Sequence, residues 1–255
     1  MRLAQDALAA APAGVLTDLD GTLSLIVDDP AAARLVDGAA SALRRLAQRV
    51  ALVGVITGRS AADARRILGT DALLVVGNHG LEWLEPGTRD AGMPPQSQGL
   101  EADVERALLA VPQLPGVTVE RKGLSATIHV RAAADPAAAL AAVEGRLRSA
   151  ALPGVELRGG RMSLEVRPAA AGDKGSALRS VVERHGLRGL LVLGDDVTDV
   201  DMFRAAAELR ANGTLSAAVL AVRGGHEVPE SVEAAADGTL ASPAEVVQLL
   251  EVLAG

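Results

Sequence analysis

A chain of 255 residues, 49% of them apolar, is long enough for one large domain or two unequal ones, but aromatics are only 1%, so the core must be built from Ala, Val and Leu. A net charge of −7 with no basic run argues against nucleic acid or an anionic membrane as partner. The absence of cysteine excludes disulfides, thiolate metal sites and cysteine nucleophiles.

Residues 1–12 read as a short leading helix; they include Asp6 and no sustained apolar stretch, and nothing further on approaches the length of a membrane span. The expectation is a soluble cytoplasmic protein without a signal peptide. Next comes Val15-Leu16-Thr17-Asp18-Leu19-Asp20-Gly21-Thr22-Leu23, a buried strand ending in two carboxylates, a glycine and a hydroxyl. Two acids two residues apart on extended chain point the same way. At the end of a parallel strand they make a concentrated negative site suited to a divalent cation. Taken alone, the same residues suit an Asp-rich turn or helix cap.

Residues 31–49 carry apolar positions at helical spacing, including Leu35, Ala39, Leu43 and Leu46. The strand at 50–56 ends in Thr57-Gly58-Arg59-Ser60, and a helix follows through Leu68. A third strand, 73–76, leads into Gly77-Asn78-His79-Gly80-Leu81-Glu82. Strand and helix alternate as in a doubly wound sheet.

Residues 86–99 are then rich in Pro and Gly, as at a boundary. The order helix, strand, strand occurs twice beyond it: 100–111, 117–120 and 124–131 around the turn Lys122-Gly123, then a helix opened by Asp135-Pro136 with strands 155–158 and 162–167 around Gly159-Gly160. This predicts a four-stranded antiparallel sheet with two helices on one face. Along 124–131 and 162–167 the even positions are apolar, and the odd ones are Ser125, Thr127, His129, Arg131, Ser163, Glu165 and Arg167. Such alternation exposes one polar face.

After Pro168 the α/β alternation resumes. Lys174 opens a helix to His185, and the strand 189–193 ends in Gly194-Asp195-Asp196-Val197-Thr198-Asp199. A helix at 200–209, a strand at 217–222 and helices near Pro229 and Pro243 follow. The expected fold is α/β: a doubly wound parallel-sheet, Rossmann-like core from residues 1–82 and 168–255, with residues 83–167 inserted as an αβ cap for substrate recognition.

Of the 25 basic residues only Lys122 and Lys174 are lysines, which points to positions where a compact ammonium does what a guanidinium cannot. Asp18 and Asp20, Thr57, and Asp195, Asp196 and Asp199 all fall at strand ends, and Lys174 at a helix start where free amides also favour anions. Acids for a cation, with a lysine, a hydroxyl and amides for an anion, describe a site for Mg²⁺ and a phosphoryl group.

The set Asp18-x-Asp20-Gly21-Thr22, Thr57-Gly58-Arg59, Lys174 and Gly194-Asp195-Asp196-x-Thr198-Asp199 resembles the haloacid dehalogenase superfamily of aspartate-dependent phosphotransferases, in its phosphatase branch. Glu120-x-Lys122-x-x-Ser125-x-x-x-His129-x-Arg131, Glu165-Val166-Arg167-Pro168, Asp173-Lys174-Gly175 and Gly77-Asn78-His79-Gly80 resemble trehalose-6-phosphate phosphatases, with a departure at Val130, where an aromatic is common.

The resemblance implies hydrolysis of trehalose 6-phosphate through an aspartyl phosphate, with Asp18 as nucleophile. Asp20, crowded by carboxylates and hence protonated, is the expected acid and then base. Metal ligands would be Asp18, the Asp20 carbonyl and Asp195, with Asp196 and Asp199 closing the shell. Thr57, the Gly58 amide and Lys174 would hold phosphate oxygens, and Glu120, Lys122, Ser125, His129, Arg131 and Glu165 would read sugar hydroxyls. Arg59 is expected to support the second motif, His79 to lie near a hinge, His185 to complement a helix end and His226 to sit in a surface loop. Trp83, at the domain junction, and Phe203 are the only aromatics, so recognition has to rest on hydrogen bonds. The alternatives are a phosphatase for sucrose 6-phosphate or for a mannosyl- or glucosyl-3-phosphoglycerate, a receiver-type domain, and a silent sugar-phosphate sensor.

Overall fold

The computed structural model describes residues 1–27, 29–88, 99–122, 124–150, 152, 154–160, 162–169, 172–223 and 229–255. His226, the Gly123 side of the Lys122-Gly123 turn and most of the 86–99 boundary lie outside them. In chain order the elements are α1 (Arg2–Leu8), β1 (Ala13–Thr17), α2 (Ala39–Leu46), β2 (Leu52–Ile56), α3 (Ala61–Leu68), β3 (Leu74–Gly77) and β4 (Glu82–Leu84). There follow α4 (Leu100–Leu108), β5 (Thr118–Arg121), β6 (Ala126–His129), α5 (Pro136–Ser149), β7 (Val155–Gly160) and β8 (Ser163–Pro168). The chain closes with α6 (Lys174–His185), β9 (Gly189–Gly194), α7 (Val200–Ala211), β10 (Ser216–Val222), α8 (Glu230–Ala234), β11 (Gly238–Leu240) and α9 (Pro243–Ala254). Two compact units result, Met1–Gly92 with Gly172–Gly255, and Met93–Ala171.

In the first unit seven strands run β11-β10-β9-β1-β2-β3-β4, all parallel except β4, which pairs antiparallel with β3. From β1 the chain builds outward through β2, β3 and β4, then returns to lay β9, β10 and β11 on the other side. β1 and β9 therefore flank the point where strand order reverses, the place where such sheets open a crevice. Thr17 is in register with both Val55 and Leu193, so β1, β2 and β9 end level with one another.

Alternation along these strands supplies two cores. Val15, Val53, Val55, Leu191 and Leu193 pack with α1, α2, α3 and α9, while Leu16, Ile56, Leu74 and Val192 pack with α6, α7 and α8. Both aromatic residues, Trp83 and Phe203, are buried in the second core, Trp83 on β4.

Helix α2 is shorter than its sequence pattern predicts. Asp29 accepts from the Ala31 amide and starts only one 3-10 turn at Pro30, and Leu35 bridges to Ser24 instead of continuing a helix. The short strands β4 and β11 are additions to the predicted set. β4 carries Trp83 and Leu84 into the large sheet and β8 carries Pro168 into the small one, so 82/83 and 167/168 are each positions within a strand.

An ion pair ties α7 to the loop before β11. Arg210 holds both Asp237 oxygens, at 2.7 and 2.9 Å, and the Val219 amide of β10 donates to Asp237 Oδ2 at 2.9 Å. Burial alone raises this carboxyl, but the hydrogen bonds from Arg210 and Val219 outweigh it and hold the group below its usual range. A depressed folded pKa stabilises above the unfolded value and loses that contribution as pH falls through the folded one. Asp237→Asn is expected to lower stability by about 1 kcal/mol at pH 7 and by much less near pH 3, read from denaturant unfolding at both.

The second unit is the antiparallel sheet β5-β6-β8-β7. Ala126, Ile128, Leu164 and Val166 face Val104, Ala107 and Leu108 of α4 and Val143 and Leu147 of α5, so both helices cover one face as the alternation predicts. The register rows Glu120–Thr127–Glu165–Arg158 and Thr118–His129–Ser163–Gly160 form the other.

Candidate active site

The level ends of β1, β2 and β9 bring together residues far apart in sequence. Asp18 follows β1 directly, its amide donating to the Leu193 carbonyl at 2.9 Å. Lys174, the first residue of α6, is only 3% exposed; its Nζ lies 2.9 Å from Asp18 Oδ1 and 2.7 Å from Asp199 Oδ1. The helix start that places it is fixed by reciprocal bonds between Asp173 and Ser176.

Past β9, the amides of Asp195 and Asp196 donate to Asp199 Oδ2 at 2.9 and 3.0 Å, folding the acidic turn back on itself. Asp195 Oδ1 accepts from the Thr22 hydroxyl at 2.8 Å. Gly21 adopts φ +81°, and a Cβ there would fall 1.9 Å from Asp195 Oδ2, so only glycine lets these strand-end turns approach.

Asp18, Asp195 and Asp199 each offer an oxygen within 4.8 Å of the others, all buried. Against these three carboxylates stands the one ammonium of Lys174, which leaves two negative charges when all are ionised. Burial, then Asp199, push the Asp18 carboxyl well above its ordinary value, with Lys174 opposing. Burial and Asp199 likewise push Asp195 up to about 7, against the Thr22 hydrogen bond and Lys174. Burial disfavours the Lys174 ammonium, but Asp18 and Asp199 outweigh it and raise its pKa above the usual lysine range. A buried, all-oxygen donor set with a charge deficit of two fits a hard divalent cation.

Asp20 and Asp196 stand apart from this cluster. Asp196 is exposed and caps the turn through Asp199. The Asp20 carboxylate is taken by Arg59, with Nε 2.6 Å from Oδ2 and Nη2 2.9 Å from Oδ1. Its nearest charge is therefore a cation, which corrects the expectation that neighbouring carboxylates crowd it. The strand geometry that would align Asp18 and Asp20 ends at Thr17.

Thr57 is buried, and its Oγ1 accepts from the Arg59 amide at 3.2 Å. The Gly58 backbone passes beneath the His79 ring, where a Cβ would meet Nε2 at 2.7 Å. His79 and Asn78 adopt φ values of 55° and 46°, consecutive left-handed residues of a kind that persists only where surroundings enforce it. The enforcing group is Glu82, which accepts from Asn78 Nδ2 and from the Ala61 amide that opens α3, both at 2.6 Å. Asp63, Glu82 and Thr22 thus join the framework without having been singled out as site residues. Arg59-x-x-x-Asp63 has readable helix-face spacing, whereas Glu82 reaches an amide 21 residues away and has no local signal. His185 lies at the end of α6, 3.6 Å from Glu85.

On the second unit, Glu120 Oε2 lies 2.9 Å from His129 Nε2 and 3.8 Å from Lys122 Nζ. Glu165 shares their face through the register with Thr127. Ser125 is buried, and Lys122, just past β5, donates its amide to the Ser125 carbonyl at 2.8 Å. Arg131 lies beyond β6 in an exposed turn, so strand alternation does not extend to it. Across the face, Arg167 grips Glu156 at 2.8 and 3.0 Å.

A doubly wound sheet that ends in this carboxylate and lysine cluster, with a separate αβ unit inserted in the chain, is the fold of a solved haloacid dehalogenase-like hydrolase from Bacteroides thetaiotaomicron, which superposes with a TM-score of 0.64 at 16% identity, covering 94% of this chain and 98% of that one. The family model for trehalose-phosphatases matches residues 16–237, and the chain belongs to that family.

A trehalose-phosphate phosphatase of Mycobacterium avium is 36% identical over 98% of this chain, and an uncharacterized glycosyl hydrolase of Mycobacterium tuberculosis is 40% identical over 75% of it. The chain spans 64% of the length of the first and 15% of the second. The solved C-terminal domain of the Candida albicans trehalose-6-phosphate phosphatase superposes with a TM-score of 0.73 at 25% identity, covering 100% of this chain and 96% of that one. No helix among the described residues is long and apolar enough to cross a membrane.

Proposed function

We propose that this chain is a cytoplasmic phosphatase that hydrolyses trehalose 6-phosphate to trehalose and phosphate. The observation that carries this reading is the buried group Asp18, Lys174, Asp195 and Asp199 at the level strand ends of a trehalose-phosphatase family chain.

Asp18 is the nucleophile. Its carboxylate attacks phosphorus, the bond to the sugar oxygen breaks, and an aspartyl phosphate forms. Asp20 gives a proton to the departing sugar oxygen and then takes one from the water that attacks the aspartyl phosphate, which restores both residues. Lys174, the Thr57 hydroxyl and the Gly58 amide hold the peripheral phosphate oxygens and offset the charge that develops on them. Held by Asp18, Asp195, Asp199 and the Asp20 carbonyl, with Asp196 as an outer ligand, Mg²⁺ would supply the positive charge that makes the approach of two anions feasible. On the cap unit, Glu120, Lys122, Ser125, His129, Arg131 and Glu165 hydrogen-bond the hydroxyls of the sugar. With both aromatic residues buried, stacking has no share in that recognition.

The test is phosphate release from trehalose 6-phosphate beside sucrose 6-phosphate, glucose 6-phosphate and mannosyl-3-phosphoglycerate, with Mg²⁺ and with EDTA. A strong, EDTA-sensitive preference for trehalose 6-phosphate is expected. Preference for another substrate would discard the sugar assignment and keep the active site, and tight binding with no release would make the chain a sensor.

A further inference from the structure

The Asp20 carboxyl is gripped by a guanidinium that is itself anchored elsewhere, and its Oδ1 also accepts from the Ser24 hydroxyl at 3.4 Å. Besides its bidentate pair with Asp20, Arg59 places Nη1 2.6 Å from Asp63 Oδ2 and 3.0 Å from the Pro30 carbonyl. Asp63 is fixed in turn on α3, its other oxygen accepting from Arg66 at 2.7 and 3.0 Å. Its own backbone amide is bound by the Ser60 cap. The Arg59 side chain is 13% exposed, while that of Asp20 is 34% exposed, so the guanidinium is packed and the carboxyl it holds stays open to solvent.

A planar fork on both oxygens sets the plane of the Asp20 carboxyl as well as its position, which a single ammonium contact cannot do. Each carboxyl oxygen has two acceptor directions; Oδ1 accepts from Arg59 and, at 3.4 Å, from the Ser24 hydroxyl, whereas Oδ2 pairs with Arg59 Nε and keeps a second direction for a transferable proton. Asp18, two residues earlier, is held by Lys174 instead. The two carboxyls of the motif are thus oriented by different cations from different elements, and only one of those cations sits among the carboxylates of the buried cluster.

We propose that Arg59, anchored by Asp63, is the positioning residue of Asp20: it aims the carboxyl group that passes a proton to the departing sugar oxygen. The inference rests on the reading of Asp20 as the acid–base group. Arg59 acts through Asp20 alone, so its contribution lies in the orientation of that carboxyl.

Leaving-group dependence tests this directly. A sugar alkoxide departs only with a proton, whereas p-nitrophenolate departs without one, and kcat/KM reports only the steps up to that departure. For Arg59→Met, kcat/KM on trehalose 6-phosphate is expected to fall about 100-fold, and that on p-nitrophenyl phosphate less than about 5-fold. Arg59→Lys should not restore the sugar phosphate rate, and Asp63→Asn should give the same pattern with a loss of about tenfold. Asp20→Asn is the benchmark and should show the largest difference between the two substrates.

Equal losses on both substrates for Arg59→Met and Asp63→Asn, with the difference preserved in Asp20→Asn, would overturn the positioning role alone. No difference in Asp20→Asn would overturn the acid–base reading itself. Thermal midpoints accompany each variant; should Arg59→Met fail to fold, Asp63→Asn decides. If the wild type prefers another sugar phosphate, that substrate takes the place of trehalose 6-phosphate in the comparison.

Discussion

Replacing Asp18 with asparagine is expected to lower turnover of every phosphomonoester by at least about 10⁴-fold while leaving the fold in place. An amide cannot form the acyl phosphate, and Lys174 or the Thr57 loop cannot substitute for it, because they bind oxygen and not phosphorus. The fold is spared for a separate reason. Burial and Asp199 already push the Asp18 carboxyl toward its neutral form, which asparagine imitates, and the amide oxygen can still accept from Lys174. Without metal, the thermal midpoint should be unchanged or higher, since one charge leaves a crowded cluster. The measurements are initial rates on trehalose 6-phosphate and p-nitrophenyl phosphate beside a circular dichroism melt. Turnover above about 1% of wild type with an intact fold would remove Asp18 as nucleophile.

Lys174→Met is expected to damage both stability and activity. The ammonium is the only cation in contact with the buried carboxylates of Asp18 and Asp199 among the described residues. Removing one member of a buried ion cluster leaves uncompensated charge, at a cost of about 3–5 kcal/mol. The sign of its pH dependence follows from Asp18, whose carboxyl burial and Asp199 already raise against the opposing Lys174. Stripped of Lys174, the Asp18 carboxyl is raised further above its unfolded value, so the folded state binds more protons and stability falls as pH rises from about 5 to 8. In the wild type the Lys174 pKa lies above the usual lysine range, so its contribution persists across this window. Activity should fall about 10³-fold, because the donor proposed for the phosphate oxygens is also lost. A variant as stable at pH 8 as at pH 5, or one with more than about a tenth of wild-type activity, would remove Lys174 from the phosphate site.

Local order explains what could be read without coordinates. The apolar run ending at Asp18 and Asp20 and the alternation in residues 124–131 and 162–167 are properties of short stretches, because strand faces repeat every two residues. The capping signal at Asp135-Pro136 and the helix start at Lys174 are equally local, and the structure begins helices there. Where context overrides local pattern, the reading went astray. The apolar spacing of 31–49 suits a helix, yet Leu35 is drawn into a bridge with Ser24. The three-residue strands β4 and β11 exist because a sheet edge is there to receive them.

The acids, lysine and hydroxyl of the proposed site, their places at strand ends and the polar face of the small sheet were thus legible in the sequence alone, since each depends on spacing within a few residues. Which partner each side chain takes was decided only by tertiary structure. Asp20 meets Arg59 across 39 residues, Lys174 meets Asp199 across 25, and Thr22 meets Asp195 across 173. Asp199 rather than Asp196 enters the cluster because two backbone amides turn it inward. Spacing determines which side chains reach a strand end, but the charges they meet there arrive on other strands and helices, and only the packed sheet sets those distances.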